Sequence, residues 1–459
     1  MKKTFRLFSM AALVLVMAAC SNDDNDTPYT NPAEAGVVHF SATLPAPNSG
    51  ATSRTTYTLD KNAQNKDIIN VAWRAKEDGV YEGDKIALVH NSVVDIVTVT
   101  AVDASGNATI EGTITGSPSD DSDVALVYPA ATVNTEAEVF GINYTPNATA
   151  MLDKVNNQDG TLDYIQNNID FRQGTGKLAV PANGDVSLKE GVSMPSSIAI
   201  WKLTLQDGAK NALEATTVTV KFGSTTLATA SASAKSVYYL GIVPTWGSGD
   251  LTIEATVGSD TYYYTKVGGV TLETGKYYQS TVTMVRPLSK AAAGDVGRLA
   301  GLDGNIYATV AAAGAAGTIA MAKIVYVGLT GNDTYTHGLA RALEDENNSG
   351  SLTWEQAKTA ISNKNTNTPI PGALWVLASQ AQWNLMRLPV YESGGDWTTL
   401  RDGFASVGGI NLYGSYWTID DNFEIAEDAG IYQFTETEAG PSSRNRNDPY
   451  GFVRACLVF

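Results

Sequence analysis

The chain has 459 residues, with 48 acidic and 31 basic side chains and a formal net charge of −17. Binding to nucleic acid depends on Lys and Arg replacing counterions, so we expect no nucleic-acid partner. The length exceeds what one hydrophobic core usually supports and predicts two or three domains. The abundance of glycine and tyrosine, with only 17% charged residues, favours β-sheet with many turns.

The start of the chain has the pattern of an exported lipoprotein. A short basic head precedes the apolar run Leu7–Ala19, and two alanines stand directly before Cys20. This pattern predicts a signal peptide over 1–19, cleavage between Ala19 and Cys20, and an acyl lipid (palmitate) on Cys20. The run is too short to span a bilayer, which takes about 20 residues. The alternative is an ordinary signal peptide followed by a chance cysteine.

The next segment, 20–36, is acidic and contains little that could be buried, so it predicts a flexible tether. Its first residues, Ser21–Asp26, resemble the acidic export tag of surface lipoproteins in gut and oral Gram-negative anaerobes. A solvated tether without that role is the alternative. We therefore expect a protein held in the outer membrane by its lipid and exposed at the cell surface.

The segment 37–150 predicts a first β-sandwich domain, because short strands separated by turn signals are typical of a sandwich or barrel. The loop after the first strand ends at Arg54, the first basic residue after Arg6. The strands are expected at Val37–Leu44, Ile68–Trp73, Lys85–Val89, Val93–Val102, Ala108–Ile114 and Val124–Tyr128.

The segment 151–286 predicts a second β-sandwich, followed by a linker over 287–294. The alternation of polar and apolar residues in Thr216–Phe222 fits a strand with one buried face. The clearest strands are expected at Ile198–Leu205, Thr216–Phe222, Val237–Val243, Leu251–Val257 and Thr261–Val267.

The segment 295–459 predicts an α+β module. Thr353 and Ser379 are suited to cap two helices. The expected elements are strands Ile306–Ala311 and Ile319–Val327, a helical turn over Gly338–Asp345, helices Trp354–Ser362 and Gln380–Met386, and an apolar terminal strand Phe452–Phe459.

Two groups of motifs resemble known families. In the first part these are the lipobox at Cys20, the early strand, Ser53–Thr56, Trp73 followed by Tyr81–Ile86, and Gly275–Met284. Together they resemble the fimbrillin-like family, the subunits of lipoprotein-derived (type V) pili, which implies two transthyretin-like β-sandwich domains. The last part resembles a C-type-lectin-like or sulfatase-modifying-factor-like module. That likeness rests on Gly301–Thr309, His337–Ala340, Thr353-Trp354, Trp375 with Ser379 and Trp383, Tyr416-Trp417 and Val453–Leu457.

The fimbrillin-like resemblance implies assembly by donor-strand exchange. A protease removes the first strand, and a strand from a neighbouring subunit fills the groove by β-augmentation. We expect the cut between Arg54 and Thr55; the alternative is that Arg54 is a surface residue and the strand stays. Because Phe452–Phe459 reads as core of the last module, it is not expected to be donated. This favours a tip adhesin or accessory subunit of a pilus.

Expected partners are other fimbrial subunits, the outer membrane through the lipid, and a host or microbial glycan or protein as the adhesin's ligand. The rival hypothesis is a surface glycan-binding lipoprotein that never polymerises. Candidate ligand-binding residues are Trp397, Tyr416, Trp417, Asp420, Asp421 and Asn422. Core packing of the aromatic residues and a solvated acidic loop are the alternatives.

We expect no enzyme activity, no cofactor and no metal. The three histidines His39, His90 and His337 are far apart in sequence, and Cys456 lies in an apolar strand. A hydrolase remains a third hypothesis, because a pair of carboxylates is defined by its separation in space rather than in sequence.

Overall fold

The computed structural model describes residues 38–46, 58–61, 67–70, 73–130, 153–244, 249–346, 350–421, 427–435 and 438–459. The predicted signal peptide with Ala19 and Cys20, the tether, the processing site at Arg54 and Thr55, Asn422 and the side chain of Trp397 lie outside the described residues. The described chain is mainly β, which confirms the predicted fold class. None of its helices is long and apolar enough to cross a membrane.

Strands are numbered in chain order. They are β1 (Val38–Leu44), β2 (Thr58–Lys61), β3 (Asp67–Asn70), β4 (Lys85–His90), β5 (Val93–Val102), β6 (Ala108–Ile114), β7 (Asp123–Tyr128), β8 (Arg172–Ala179), β9 (Ser187–Leu188), β10 (Ala199–Gln206), β11 (Ala215–Phe222), β12 (Thr225–Lys235), β13 (Val237–Ile242), β14 (Leu251–Val257), β15 (Asp260–Lys266), β16 (Tyr277–Thr283), β17 (Leu299–Gly301), β18 (Ile306–Tyr307), β19 (Ala320–Val327), β20 (Gly338–Ala342), β21 (Leu374–Val376), β22 (Gly414–Asp421), β23 (Asp428–Phe434), β24 (Ala439–Asn445) and β25 (Cys456–Val458).

The longer helices belong to the last part of the chain. They are α1 (Val310–Ala315), α2 (Trp354–Asn367), α3 (Gln380–Glu392) and α4 (Trp397–Asp402). Short helical turns occur at Leu162–Tyr164, which continues as Ile165–Ile169, and at Leu288–Lys290, Ala293–Asp295 and Ala405–Val407.

The first sheet has the strand order β1-β6-β5-β4-β7-β8-β9. Val186, directly before β9, forms a bridge to Phe40 in β1, so the two edges of the sheet meet. Alternate residues of these strands point inward and form a continuous apolar core, as the period of two in a β-strand requires. Strands β2 and β3 form a separate hairpin outside this sheet.

The division predicted at residue 150 differs from the strand pairing. Strand β8 completes the first sheet by pairing antiparallel with β7. The residues just before it, Ile165, Ile169 and Phe171, are buried in the second core. The chain therefore contributes to the second core before it finishes the first sheet. The polar, glycine-containing sequence of β8 gives no alternation from which this membership could be read.

In the second β region, a sheet β13-β10-β16 faces a sheet β12-β11-β14-β15. Trp201 and Leu203 from one sheet and Val218 and Val220 from the other share a single core. The five strands predicted between residues 198 and 267 are present, within one or two residues of their predicted bounds. Strand β12 was not predicted, because it is built mostly from Thr, Ala and Ser.

The segment predicted as a linker, 287–294, is fixed in place by charged side chains. Buried Arg286 pairs with Asp295 and also lies 2.8 Å from Asp260 of β15, while Arg298 lies 2.8 Å from the same Asp260. Leu288 between them is buried. This network ties the second β region to the last module, since charge-assisted hydrogen bonds of this kind hold their partners in a defined geometry.

The last module contains a sheet β18-β17-β19-β20-β25-β21 and a smaller sheet β22-β23-β24. The two predicted helices begin where expected. Thr353 and Ser379 form capping boxes at the starts of α2 and α3. Both helices run about one turn or more beyond the predicted ends at Ser362 and Met386.

Three predictions in this module are wrong. Gly338–Asp345 is not a helical turn but contains the strand β20, all of whose residues are buried, so sheet packing overrides the helix propensity of its Leu and Ala. The strand predicted over Ile306–Ala311 ends at Tyr307, and Thr309 then caps the alanine-rich helix α1. Within Phe452–Phe459, only β25 is strand.

Candidate strand-exchange site

Strand β1 presents one apolar face to the core of the first sheet. Phe40 and Leu44 are fully buried and Ala42 is nearly so, whereas His39 and Thr43 point to solvent. Burying a Phe or Leu side chain contributes roughly 1.5–3 kcal/mol. Loss of β1 without a replacement would therefore expose the apolar core residues that β1 covers and one edge of β6. The first sheet needs a strand in this position to keep its core buried.

The inward side chains of β1 and β6 alternate in size along their antiparallel ladder. Phe40 stands opposite Gly112, and Leu44 stands opposite Ala108. Between them, the small Ala42 stands opposite the large Ile110. At these three pairs a large residue faces a small one, as dense packing of the core favours.

The second edge of β1 is held much more weakly. Ser41 donates its backbone N–H to Val186 O, and Val186 donates to His39 O, each at 3.0 Å. Beside this bridge, His39 Nδ1 lies 3.1 Å from Asp185 Oδ2, with both side chains at least half exposed. Exposed pairs of this kind contribute about 0–1 kcal/mol. The β6 ladder therefore dominates the backbone pairing of β1.

Trp73 and Asn107 hold the end of β1. The indole of Trp73 donates to Pro45 O at 3.3 Å, and Asn107 Oδ1 accepts from Ala46 N at 3.2 Å. Trp73 is buried and meets Tyr128 edge to face, with ring centroids 5.6 Å apart. These contacts fix where β1 leaves the sheet and enters the loop that carries Arg54.

Residues of the Tyr81–Asp84 motif form hydrogen bonds that position the neighbours of Trp73. Asp84 accepts hydrogen bonds from Arg74 N at 2.7 Å, Tyr81 OH at 2.7 Å and Tyr128 OH at 3.2 Å. Burial raises the pKa of the Asp84 carboxyl above its ordinary value, and these hydrogen bonds oppose that rise. The motif therefore has a structural role: Asp84 positions Tyr128, which packs on Trp73.

Strand β25 at the other end of the chain is held on both sides. It lies one strand in from the edge of its sheet and pairs with β20 and with the edge strand β21. Buried Arg454 just before it pairs with Asp345 and donates to the carbonyl groups of Ala342, Leu343 and Ile410. The segment predicted as module core is therefore enclosed by the module.

Two of the three candidate aromatic ligand residues, Tyr416 and Trp417, are not on the surface. Each is 1% exposed, so neither offers a ring face to a sugar in this structure. Tyr416 packs beside Trp383, whose ring stacks on Tyr432 at 5.0 Å. The alternative reading of these aromatic residues as core is the one the structure supports.

Asp420 and Asp421 are engaged within the protein. Asp420 accepts a hydrogen bond from the backbone N–H of Gln380 at 2.6 Å, at the start of α3, where a helix favours negative charge. Asp421 lies 2.9 Å from Arg446. In the described part of the chain, no group of three or more His, Cys, Asp or Glu side chains could hold a metal ion.

The histidines and the thiol lie in separate structural settings. His90 Nε2 is 3.1 Å from Asp95 Oδ2 in the first sheet, where both groups are buried. Cys456 is buried in β25, and burial raises the pKa of its thiol to about 12. A thiol with such a pKa is almost entirely protonated at neutral pH and is a poor nucleophile.

A cavity of about 940 Å³ opens in the last module. Its walls include α1, the apolar side chains of Ile319 and Met321, and the acidic run Glu344–Glu346. The volume lies in the range of small-molecule sites. Sequence reasoning did not find this cavity, because its walls come from segments about 100 residues apart.

Sequence reasoning also missed Ala108, Ile110 and Gly112 as part of the β1 site. Their alternation marks a strand, which was predicted, but only the pairing register shows that they face β1. The contact of Trp73 with Pro45 could not be read from the sequence for the same reason.

Solved structures of fimbrial and adhesion proteins match the chain at low similarity. A fimbrial protein from Bacteroides ovatus is 12% identical over 93% of this chain and 100% of its own, with a TM-score of 0.26. A candidate cell adhesion protein from Bacteroides uniformis is 15% identical over 54% of this chain and 93% of its own, with a TM-score of 0.30. The major pilin subunit of Bacillus cereus is 12% identical over 44% of this chain and 54% of its own, with a TM-score of 0.14.

No protein-family model matches the chain, and no curated protein matches it. TM-scores as low as those above do not establish a common fold.

Proposed function

We propose that this chain is a tip adhesin or accessory subunit of a surface pilus, and that it is assembled by donor-strand exchange after removal of β1. The observation that carries the proposal is the way β1 is held. It supplies an apolar face to a closed sheet, yet it has a single long ladder, to β6, and only a two-bond contact with Val186. A strand from another subunit can take the same place by β-augmentation.

The connection of β1 to the rest of the chain supports its removal. After Pro45 and Ala46 the chain runs through Arg54 to β2, which belongs to a separate hairpin rather than to the first sheet. A cut after Arg54 would therefore separate β1 from the chain without dividing any other strand of that sheet. The sequence between Ala46 and Arg54 has the Pro-, Gly- and Ser-containing composition of a loop, and exposed loops are where proteolysis concentrates.

The position of β25 supports a role at the tip. A shaft subunit must offer a free strand to its neighbour, whereas β25, the last strand described, is enclosed between β20 and β21. Donating it would break both pairings and expose the buried Arg454. In the proposed role the subunit accepts a strand and presents its last module outward, with the 940 Å³ cavity as a candidate ligand site.

We further propose that the precursor reaches the outer membrane as a lipoprotein modified on Cys20. The lipid would hold the chain at the surface until the cut after Arg54 releases it from residues 20–54. The rival role, a glycan-binding lipoprotein that never polymerises, has less support, because two of its three candidate aromatic residues, Tyr416 and Trp417, are buried.

The N-terminal sequence of the protein from sheared cell-surface filaments, and separately from membranes, tests this proposal. We expect a start at Thr55 in filaments and a lipidated Cys20 in the membrane precursor. Arg54→Lys is the matched variant, since it keeps the charge but removes the site for an arginine-specific protease. It should abolish the filament form. A chain found only in membranes and starting at Cys20 would contradict strand exchange by this route.

A further inference from the structure

We propose that the groove occupied by β1 selects its incoming strand by side-chain size, in the order large–small–large at alternate positions. This inference rests on the proposed function, because it names the kind of strand that would replace β1. The positions are those now filled by Phe40, Ala42 and Leu44.

The order follows from β6, the groove wall that pairs with β1 along its whole length. Gly112 and Ala108 leave two pits, at the places where Phe40 and Leu44 are fully buried. Ile110 forms a ridge between the pits and faces Ala42. Protein interiors are packed as densely as organic crystals, so a large side chain over the ridge would clash and a small one over a pit would leave a void.

The pit at Gly112 is fixed from behind by β5. A Cβ atom on residue 112 would lie 2.9 Å from Ile96 O and 3.0 Å from Val97 Cγ1. Because a backbone atom of β5 stands in the way, residue 112 cannot gain a side chain without moving that strand. Packing against β5 therefore requires glycine at 112, and with no side chain there the neighbouring space is left to Phe40 or to a large residue of an incoming strand.

The order is less strict at the start of the groove. Val38 stands opposite Ile114, and Val38 is only partly buried, so two large side chains are accommodated there. The outward positions of His39 and Thr43 are exposed, so at these positions the incoming strand only needs polar side chains. The expected occupant is thus an extended segment of another polypeptide chain with large, small and large apolar residues at positions i, i+2 and i+4.

Peptide exchange into the groove tests this order directly. The chain from residue 21 onward receives a specific protease site directly after Arg54 and is cut there while folded. Fluorescent peptides with the sequence of residues 37–46 are then added, and their uptake is followed by anisotropy. The matched control peptide carries Phe40→Ala and Ala42→Phe together, so it has the same composition and hydrophobicity but the wrong order.

We expect the native peptide to replace β1 and the reordered peptide to bind about 100-fold more weakly, since it creates a cavity and an overpacked site at once. Equal uptake of both peptides would overturn the size order and leave strand exchange standing. If neither peptide enters the folded, cut protein, strand exchange fails at this site, and the size order fails with it.

A size swap in the uncut chain tests the same order without any exchange. Ala42→Leu and Ile110→Ala should each lower the melting temperature of the first sheet, by overpacking and by a cavity respectively. The double variant should recover at least half of the summed loss, because the new large residue then faces the new small one. Additive losses would overturn the inference.

Discussion

Two apolar strands, β1 near the start of the described chain and β25 at its end, are both part of a hydrophobic core but are held in opposite ways. β1 has one long ladder and a two-bond contact, and the next described strand along the chain, β2, lies outside its sheet. β25 has a partner on each side and is preceded by Arg454, which binds three backbone carbonyl groups. Burial alone therefore does not decide whether a strand can be exchanged; its position in the sheet and its connections do.

Among the predictions that follow, removal of Arg454 should destabilise the surroundings of β25 most strongly. We expect Arg454→Ala to cost about 3–5 kcal/mol in the free energy of unfolding of the last module, because it leaves buried Asp345 without its cation. Thermal unfolding followed by tryptophan fluorescence measures this loss. Arg444→Ala is the matched control. Arg444 is only half-buried and lies over the exposed ring of Tyr450, so a change of about 1 kcal/mol or less is expected.

The corresponding test of β1 is Phe40→Ala. Truncating a buried phenylalanine should cost about 3–5 kcal/mol in the unfolding of the first sheet. The control His39→Ala changes the solvent face of the same strand and should cost about 1 kcal/mol or less. Urea unfolding of both variants gives the comparison. Similar losses for the two would mean that β1 is not anchored through its apolar face.

The two strands also differ in how accurately their bounds could be predicted from the sequence. Val37–Leu44 was predicted almost to the residue, because its alternation is regular and turn residues follow it. The terminal segment was correctly assigned to the core of the last module, but its strand is shorter than predicted. Neither the register that sets Phe40 against Gly112 nor the position of β25 between β20 and β21 could be derived, since pairing partners lie about 70 to 120 residues apart.

Burial of Asp84, which holds Tyr128 against Trp73 near the end of β1, should also make the stability of the first sheet depend on pH. The raised pKa of Asp84 means that its stabilising contribution is complete below the ordinary carboxyl pKa of about 3.9 and is lost as pH rises through the folded-state pKa. Wild type should therefore lose stability relative to Asp84→Asn as pH rises from about 4 toward neutral. Unfolding free energies of both proteins across this range measure the difference.

Asp78→Asn serves as the control for that series. The Asp78 side chain is 94% exposed, so the variant should differ little from wild type at any pH. A constant gap between wild type and Asp84→Asn across the range would show that burial of Asp84 does not penalise its charged form.

The smallest expected effect concerns the thiol in β25. Cys456 should not react with a soluble thiol reagent in the folded chain from residue 21 onward and should react fully after denaturation, because the thiol is buried and its pKa is raised to about 12. A cysteine introduced by Ser443→Cys in β24, the preceding strand of the chain, would be exposed and should react at once. Rapid labelling of native Cys456 would show that β25 opens readily, which would remove the contrast with β1.

The candidate ligand residues show a second limit of sequence reasoning. A run of aromatic and acidic residues has the composition of a sugar or calcium site, but composition does not show whether the side chains point to solvent or into the core. Tyr416 and Trp417 point into the module, and Asp420 accepts a hydrogen bond from the start of α3. The helix starts at Thr353 and Ser379 could be predicted because capping is local, within three residues along the chain.

Hydrogen exchange with mass spectrometry on the folded chain, before and after a specific cut placed after Arg54, tests the contrast between β1 and β25 most directly. The cut removes the high effective concentration that keeps β1 in its groove. We predict that the backbone amides of β1 and β6 then exchange much faster, while those of β20, β21 and β25 keep their rates. If β1 stays as protected as β25 after the cut, β1 is a permanent part of the sheet and the proposed exchange is contradicted.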